Sequence, residues 1–341
     1  MDFNAHRGFP LTDRSFLNTV RKDIHKLAES YGLSAVMLGK VDIVVSELTS
    51  NLVKHTTNGG ELLVKAVNRN GVAGIEMLCL DTGPGMADPT RMLEDGVSTV
   101  GSQGEGLGAI RRLSAEFDLY SRVGSGTVLL ARLFSAVRPA RLLSPSQGFE
   151  TGVVMVPKPG EEACGDGWAL REKDGQYALL AVDGLGHGPE AQHAAREAIK
   201  AFLAETSFEP ARCLVAMHAA IAPTRGAVGA VAVLENEQNR SRFCGVGNIS
   251  GRVFSTDATK GLVSYNGILG NNFPGHINDH FFDYGPATLL VLHSDGIQSR
   301  WDLSKHPDLK THSTSVIAAV LYKEYSRRRD DVLVIVSRIK R

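Results

Sequence analysis

The chain has 341 residues, enough for two domains with separate cores, and 43% of it is hydrophobic, as soluble globular packing requires. Lysine plus arginine and aspartate plus glutamate both total 37, so no global field draws it to nucleic acid or an anionic membrane. No apolar run approaches the roughly 20 residues that span a bilayer, and Met1-Asp2-Phe3-Asn4 does not open a signal peptide. The expectation is a soluble, cytoplasmic protein with no nucleic-acid or membrane partner. Cys79, Cys164, Cys213 and Cys244 form no C-x-x-C pair and read as reduced, buried thiols.

Thr12 or Asp13 is placed to cap a first helix, with Phe16, Val20, Ile24 and Leu27 on its apolar face and Gly32 as its stop. Ser34 starts a second helix running to about His55, with Val41, Val44, Val45, Leu48 and Leu52 as its buried stripe. Glu47, Asn51 and His55 recur at i, i+4 and i+8 and share a neighbouring face. Alone, such a row is commonly a solvated face.

Strand-like runs follow at 61–67 and 72–80, and the second delivers Asp81-Thr82-Gly83-Pro84-Gly85. After a polar stretch, 86–102, Gly104-Glu105-Gly106-Leu107-Gly108 opens a helix expected over 109–116. Glycines opening a helix make an anion site, because free backbone N–H groups and the helix dipole face the same point. A hairpin with turn Gly124-Ser125-Gly126 and strand 127–133 closes the region.

Together Glu-x-x-x-Asn-x-x-x-His, Asp-x-Gly-x-Gly, Gly-x-Gly-x-Gly and the terminal Gly-Thr resemble the GHKL ATPase fold. The stretches 95–99 and 124–127 are most similar to the small anti-sigma-type serine kinases of the RsbT and RsbW kind. The resemblance covers about residues 10–135. It implies a Bergerat α/β sandwich in which Asp81 accepts from the adenine amino group and Gly83 and Gly85 leave room for the base. Thr127 supports that pocket from the strand behind. It further implies that Asn51 binds the Mg²⁺ bridging the phosphates of ATP, and that the Gly104, Gly106, Leu107, Gly108 stretch cradles those phosphates. Glu47 becomes the base that accepts the attacking hydroxyl's proton. His55 is either structural or part of the nucleotide site. Residues 86–103 become a lid.

Residues 136–147, with Pro139, Pro145 and two serines, read as a linker between domains at 1–135 and 148–341. Beyond it the apolar run 177–182 delivers Asp183-Gly184-Leu185-Gly186-His187-Gly188, followed by Pro189 and an Ala-rich helix to Glu205. A second helix is expected over 210–221 and strands over 227–234 and 240–245. Asp166 lies in Cys164-Gly165-Asp166-Gly167-Trp168. Asp295 follows the run 288–292, and Asp330-Asp331 opens a final strand at 332–337. Carboxylates at several strand ends, beside glycine or a second acid, are what hard divalent cations need, with room left for water.

This set resembles the metal-dependent type-2C (PPM) serine/threonine phosphatases, in their SpoIIE and RsbX branch, from about Gln147 onward. The resemblance implies an αββα sandwich after the first α+β domain, with two Mn²⁺ or Mg²⁺ ions held at one end. Asp183 bridges them, the Gly184 carbonyl assists, and Asp166, Asp295 and Asp330 complete the set, with Asp331 as the alternative to its neighbour. Leu333 departs from the Thr or Ser usual in the family. His187 either protonates the leaving alkoxide or serves the glycine turn. Arg225 is a phosphate clamp or a surface residue, and Trp168 a core residue. The combined resemblance implies a regulator that both phosphorylates and dephosphorylates a serine or threonine on a STAS-domain protein, in a pathway that also involves a sigma factor. The alternative is an ATP-dependent binding module, sequestering a sigma factor or other partner, fused to a phosphatase that alone is catalytic. A hydrolytic machine of the gyrase, MutL or Hsp90 kind is disfavoured, because no transducer domain follows the Gly-Thr strand.

Overall fold

The structure is a computed structural model that describes residues 5–56, 59–93, 106–135, 148–235, 240–255, 258–285 and 288–339. Gly104, residues 94–103 of the expected lid and the linker 136–147 lie outside the described residues. The first part of the chain runs β1 (Arg7–Leu11), α1 (Leu17–Ser30), α2 (Ala35–His55), β2 (Gly60–Arg69), β3 (Val72–Asp81), α3 (Gly106–Leu113), β4 (Glu116–Arg122) and β5 (Gly126–Phe134). Its sheet is antiparallel, in the order β1-β2-β3-β5-β4.

One face of that sheet meets the helices. The stripe Val41, Val44, Val45, Leu48 and Leu52 of α2 is at most 2% exposed. It packs with Ile24 and Leu27 of α1 against Leu62, Val64, Ile75, Met77 and Leu129. Each such side chain contributes about 1.5–3 kcal/mol by leaving water.

Three local expectations need correction. Helix α1 begins at Leu17 with no side-chain cap, and Phe16 is 56% exposed. Asp13 instead accepts from Ser15 N at 2.8 Å in a turn of its own. Helix α3 ends at Leu113 rather than Glu116, because Ala115 N already donates to Arg132 O and draws the chain into β4. Strand β1 was not expected; Pro10 interrupts its pattern, which an edge strand tolerates.

By the alternation of strand side chains, Glu76, Leu78, Asp118, Tyr120, Leu130 and Arg132 project from the opposite face. The chain divides into two compact units, and the first comprises Met1–Pro145 together with Leu303–Val320. That later segment, which the sequence reading gives to the C-terminal domain, lies on this opposite face. Asp118 accepts from His312 Nδ1 at 2.8 Å and from Ser313 N at 2.7 Å. Arg132 donates to Ser315 Oγ at 2.6 Å, and the rings of His306 and His312 meet Tyr120 edge-on.

The second unit comprises Ser146–Asp302 and Leu321–Arg341. Its strands are β6 (Phe149–Val156), β7 (Asp166–Lys173), β8 (Gln176–Gly184), β9 (Ala227–Glu235), β10 (Arg240–Val246), β11 (Ser250–Phe254), β12 (Thr259–Leu262), β13 (His280–Asp283), β14 (Leu289–His293) and β15 (Val332–Ile339). They form two antiparallel sheets, β13-β10-β9-β8-β7 and β12-β11-β14-β15-β6. Tyr177 of the first stacks on Phe149 of the second, 4.6 Å between centroids. Helices α4 (Pro189–Ala204) and α5 (Pro210–Ala220) cover the outer side of the first sheet through Ala195, Ala198, Phe202, Leu214 and Met217. Helix α6 (Thr314–Tyr325) crosses the division between the units. The four cysteines are buried, none of them in a disulfide. Among the described residues no helix is long and apolar enough to cross a membrane.

Candidate active sites

In the first unit the expected site residues gather where α2, α3 and the end of β3 meet. A Cβ on Gly106, the first residue of α3, would lie 2.7 Å from Glu47 Oε2 and 3.9 Å from Asn51 Nδ2. Glu47 and Asn51 therefore face the start of α3, and a bare backbone is what lets them approach. Leu107 is half-buried against the core, and Gly108 is buried.

Asp81 closes β3, and its Oδ1 accepts from Gly83 N at 2.8 Å. A Cβ on Gly126 would sit 2.1 Å from the Asp81 backbone O and 2.8 Å from its Oδ1, and one on Gly83 3.0 Å from Asp81 Oδ1. Any side chain at either position would displace the carboxylate. Gly85 takes a left-handed φ of +70° with its backbone against Arg122 O. Thr127 is buried, its Oγ1 2.9 Å from Ser121 Oγ, which in turn accepts from Met86 N. This ties the segment after Gly85 to the hairpin. His55 ends α2, and its carbonyl would lie 2.8 Å from a Cβ on Gly83.

In the second unit Asp183, His187, Asn248, Asp295, Asp330 and Asp331 help line one cavity of about 450 Å³. Asp166 opens β7 directly opposite Asp183 in the ladder with β8. It is buried; its Oδ2 accepts from Ser294 Oγ at 2.7 Å, while its Oδ1 is buried with no hydrogen-bond partner among the described residues. Gly184 is glycine for a packing reason, since a Cβ there would lie 2.1 Å from Ala191 O of α4. Asp295 accepts from Asn248 Nδ2 at 3.0 Å.

The adjacent acids Asp330 and Asp331 have different surroundings. Asp331 is buried, and its two oxygens accept from Lys158 N at 2.8 Å and Gly165 N at 2.9 Å. Asp330 is exposed on the cavity wall. Arg225 is exposed, its Nη1 3.2 Å from where a Cβ on Gly186 would be. Trp168 is half-buried, with a buried indole N–H that has no partner among the described residues. Sequence reasoning missed Ser294, Asn248 and Glu161, which bonds His187. Ser294 adjoins Asp295 and Asn248 ends a glycine pair, but Glu161 sits in an ordinary polar turn.

The electrostatics of the cavity are those of crowded carboxylates. Burial, then the charge of Asp183, pushes the Asp166 carboxyl well above its usual range. Burial, then the charges of Asp295, Asp330 and Asp331, raises Asp183 to about 8. Like charges held this close, one with an orphaned oxygen, fit compensation by divalent cations. Among the described residues no three acid, histidine or cysteine side chains close around one point. The carboxylate oxygens that line the cavity are the donor type that hard divalent cations such as Mg²⁺ take, with water completing the shell.

An α/β sandwich in which Glu47 and Asn51 face the start of α3 and Asp81 ends β3, followed by a two-sheet domain with an acidic cavity, defines a kinase-like unit joined to a PPM-type phosphatase fold. Residues 9–133 match the histidine kinase-like ATPase domain, and residues 173–340 match Stage II sporulation protein E (SpoIIE). The chain belongs to the RsbT-like branch of the histidine kinase-like ATPases, fused to a SpoIIE-type phosphatase domain. It is 33% identical over 105 residues to serine/threonine-protein kinase RsbT of Bacillus subtilis (strain 168), covering 31% of this chain and 78% of RsbT. It is 24% identical over 204 residues to phosphoserine phosphatase RsbX of the same organism, covering 57% of this chain and 96% of RsbX. A chain solved in work on the bacterial stressosome, "a modular system that has been adapted to control secondary messenger signaling", superposes with a TM-score of 0.53 at 31% identity. It covers 56% of this chain and 99% of that one. The crystal structure of RsbX in complex with magnesium shares the fold, with a TM-score of 0.52 at 21% identity, covering 58% of this chain and 98% of that one.

Proposed function

We propose that this protein sets the phosphorylation of a serine or threonine on a STAS-domain partner, with the first unit adding the phosphate from ATP and the second removing it. The observation that carries the reading is the Asp166–Asp183 pair, with Asp166 buried, at an acidic cavity on a SpoIIE-type domain, in one chain with an RsbT-like unit in which Glu47 and Asn51 face the same helix start. RsbT is by name a serine/threonine kinase and RsbX a phosphoserine phosphatase, and RsbX has been crystallised with magnesium. A sigma factor or similar switching protein is a further expected partner.

In the first unit Asp81 would receive the adenine amino group, with Gly83 and Gly126 leaving the room. Asn51 would hold Mg²⁺, and the backbone at Gly106 and Gly108 would meet the phosphates. Glu47 accepts the proton of the incoming hydroxyl as its oxygen attacks. In the second unit Asp166, Asp183, Asp295, Asp330 and the Gly184 carbonyl would hold Mn²⁺ or Mg²⁺. Bound there, the cations supply charge neutralisation and a more acidic water. Ser294 and Asn248 orient Asp166 and Asp295 by hydrogen bonds, as supporting groups around metal ligands do, and Asp331 holds the neighbouring loop.

The test starts from a STAS-domain protein recovered by co-purification. Incubated with ATP and Mg²⁺, it should stay unphosphorylated with the Glu47→Ala protein and become hyperphosphorylated with Asp183→Ala, read by mass spectrometry. If Asp183→Ala does not raise its phosphorylation, the two units do not share a substrate.

A further inference from the structure

His187 lies between two glycines with left-handed backbones, Gly186 (φ +88°) and Gly188 (φ +77°), and lines the cavity with Asp183 and Asp295. Its Nδ1–H donates to Glu161 Oε1 at 2.9 Å. An ionised carboxylate only accepts, so this bond fixes the hydrogen on Nδ1 and leaves Nε2 as the nitrogen free to exchange a proton.

The turn and the loop are both shaped around this contact. A Cβ on Gly188 would press on Glu161 Oε2 at 3.3 Å, so the glycine leaves the carboxylate its space. Glu161 lies in the loop joining β6 to β7, where its N–H donates to Lys158 O at 2.9 Å. Asp331 fastens both ends of that loop through Lys158 N and Gly165 N. The Glu161 carboxylate is therefore carried on a loop anchored to the cavity's own acids. Both partners are partly exposed, at 48% and 30% of their side chains. A pair so exposed adds little to folding, so its loss should be read in chemistry.

We propose that Glu161 is a positioning residue that holds the His187 ring so that Nε2 serves the departing serine or threonine oxygen. The inference rests on the phosphatase reading of the second unit. In the step, a water oxygen forms a bond to phosphorus as the bond from phosphorus to the serine oxygen breaks. Both electrons of the broken bond stay on the serine oxygen, which takes the proton from Nε2. The imidazole is left neutral, with Nδ1–H still on Glu161, and regains its proton from the one the water released. The carboxylate–imidazole arrangement thereby orients the acid without touching substrate.

The substrate's leaving group tests this. A serine alkoxide is strongly basic and needs the proton, whereas p-nitrophenolate departs as a stable anion. The full chain with Mn²⁺ is assayed on a phosphoserine peptide and on p-nitrophenyl phosphate. Glu161→Ala should lower the ratio of peptide kcat to aryl kcat at least fivefold, and Glu161→Gln, whose amide oxygen still accepts from Nδ1–H, should fall between it and wild type. His187→Ala should lower the ratio at least as far, and the double variant no further, because both act through one proton. Equal slowing of the two substrates by Glu161→Ala, or a further drop in the double variant, overturns the inference and leaves the phosphatase reading standing. A wild-type protein inactive on both substrates overturns that reading, and the inference with it.

Discussion

Asp166 and Asp183 stand directly opposite each other in the β7–β8 ladder, two carboxylates in register, with Asp166 buried. Like charges so placed destabilise an antiparallel pair, and here burial adds to the cost. Under the proposed function, cations would offset this cost when bound.

Relieving the repulsion should therefore stabilise the metal-free protein. In chelator, Asp183→Asn should raise the melting temperature of the second unit, by roughly 2–4 °C for each kcal/mol relieved. Adding Mn²⁺ should stabilise wild type but not the variant. Scanning fluorimetry with and without chelator reads both effects. A variant melting at or below wild type in chelator would contradict the account.

The adjacent acids Asp330 and Asp331 should separate by the same measurement. Asp331→Ala strands the N–H groups of Lys158 and Gly165, at a cost of about 1–3 kcal/mol each where they stay unpaired. Asp330→Ala, on the exposed wall, should stay within about 0.5 kcal/mol of wild type in chelator while weakening Mn²⁺ binding. Equal destabilisation by the two would mean that Asp331 is no staple.

At the proposed nucleotide site, Asp81→Asn is the informative change. The amide oxygen still accepts from Gly83 N, so the turn survives, but the proposed acceptor for the adenine amino group loses its charge. Calorimetry should show ATP affinity reduced about tenfold or more. Unchanged affinity would remove Asp81 from the pocket.

Glu76 sets an acid limit on the first unit. It is fully buried, with His6 Nε2 at 3.0 Å, Lys65 Nζ at 3.2 Å and Arg132 Nε at 2.6 Å. Burial alone would raise its carboxyl, but Arg132, Lys65 and His6 together hold it well below its ordinary 4.5. A depressed folded value stabilises above the unfolded one, and that stability is lost as pH falls through the folded value. Melts should thus weaken as pH drops below 4.5. Glu76→Gln should cost about 3–5 kcal/mol at neutral pH by leaving buried cations uncompensated, and should flatten the acid limb. An unaltered limb would mean that other carboxylates govern it.

Much of this was legible in the chain because the relevant patterns are local. The apolar stripe of α2, the helical spacing of Glu47 and Asn51, and the glycines around Asp81 and Asp183 all repeat over a few residues, and the family resemblance rests on them. Asp330 and Asp331 were not separable, since adjacent acids differ only in which backbone amides fold onto them. Glu161 was invisible for a related reason: its partner His187 is close only after the β6–β7 loop is fastened by Asp331. Asp118 and His312 gave no sign either, as nothing in a strand residue tells which distant histidine will meet it.

That last contact bears on how the molecule is made. The N-terminal sheet is finished by Leu303–Val320, a stretch that follows most of the second unit in the chain. As the polypeptide leaves the ribosome, Asp118, Tyr120 and Arg132 must wait for His312 and Ser315. A nascent chain halted after β5 would present one covered and one bare face of its first sheet. The two halves thus mature late and nearly together, and a gene cut between them would yield an N-terminal fragment lacking part of its own structure.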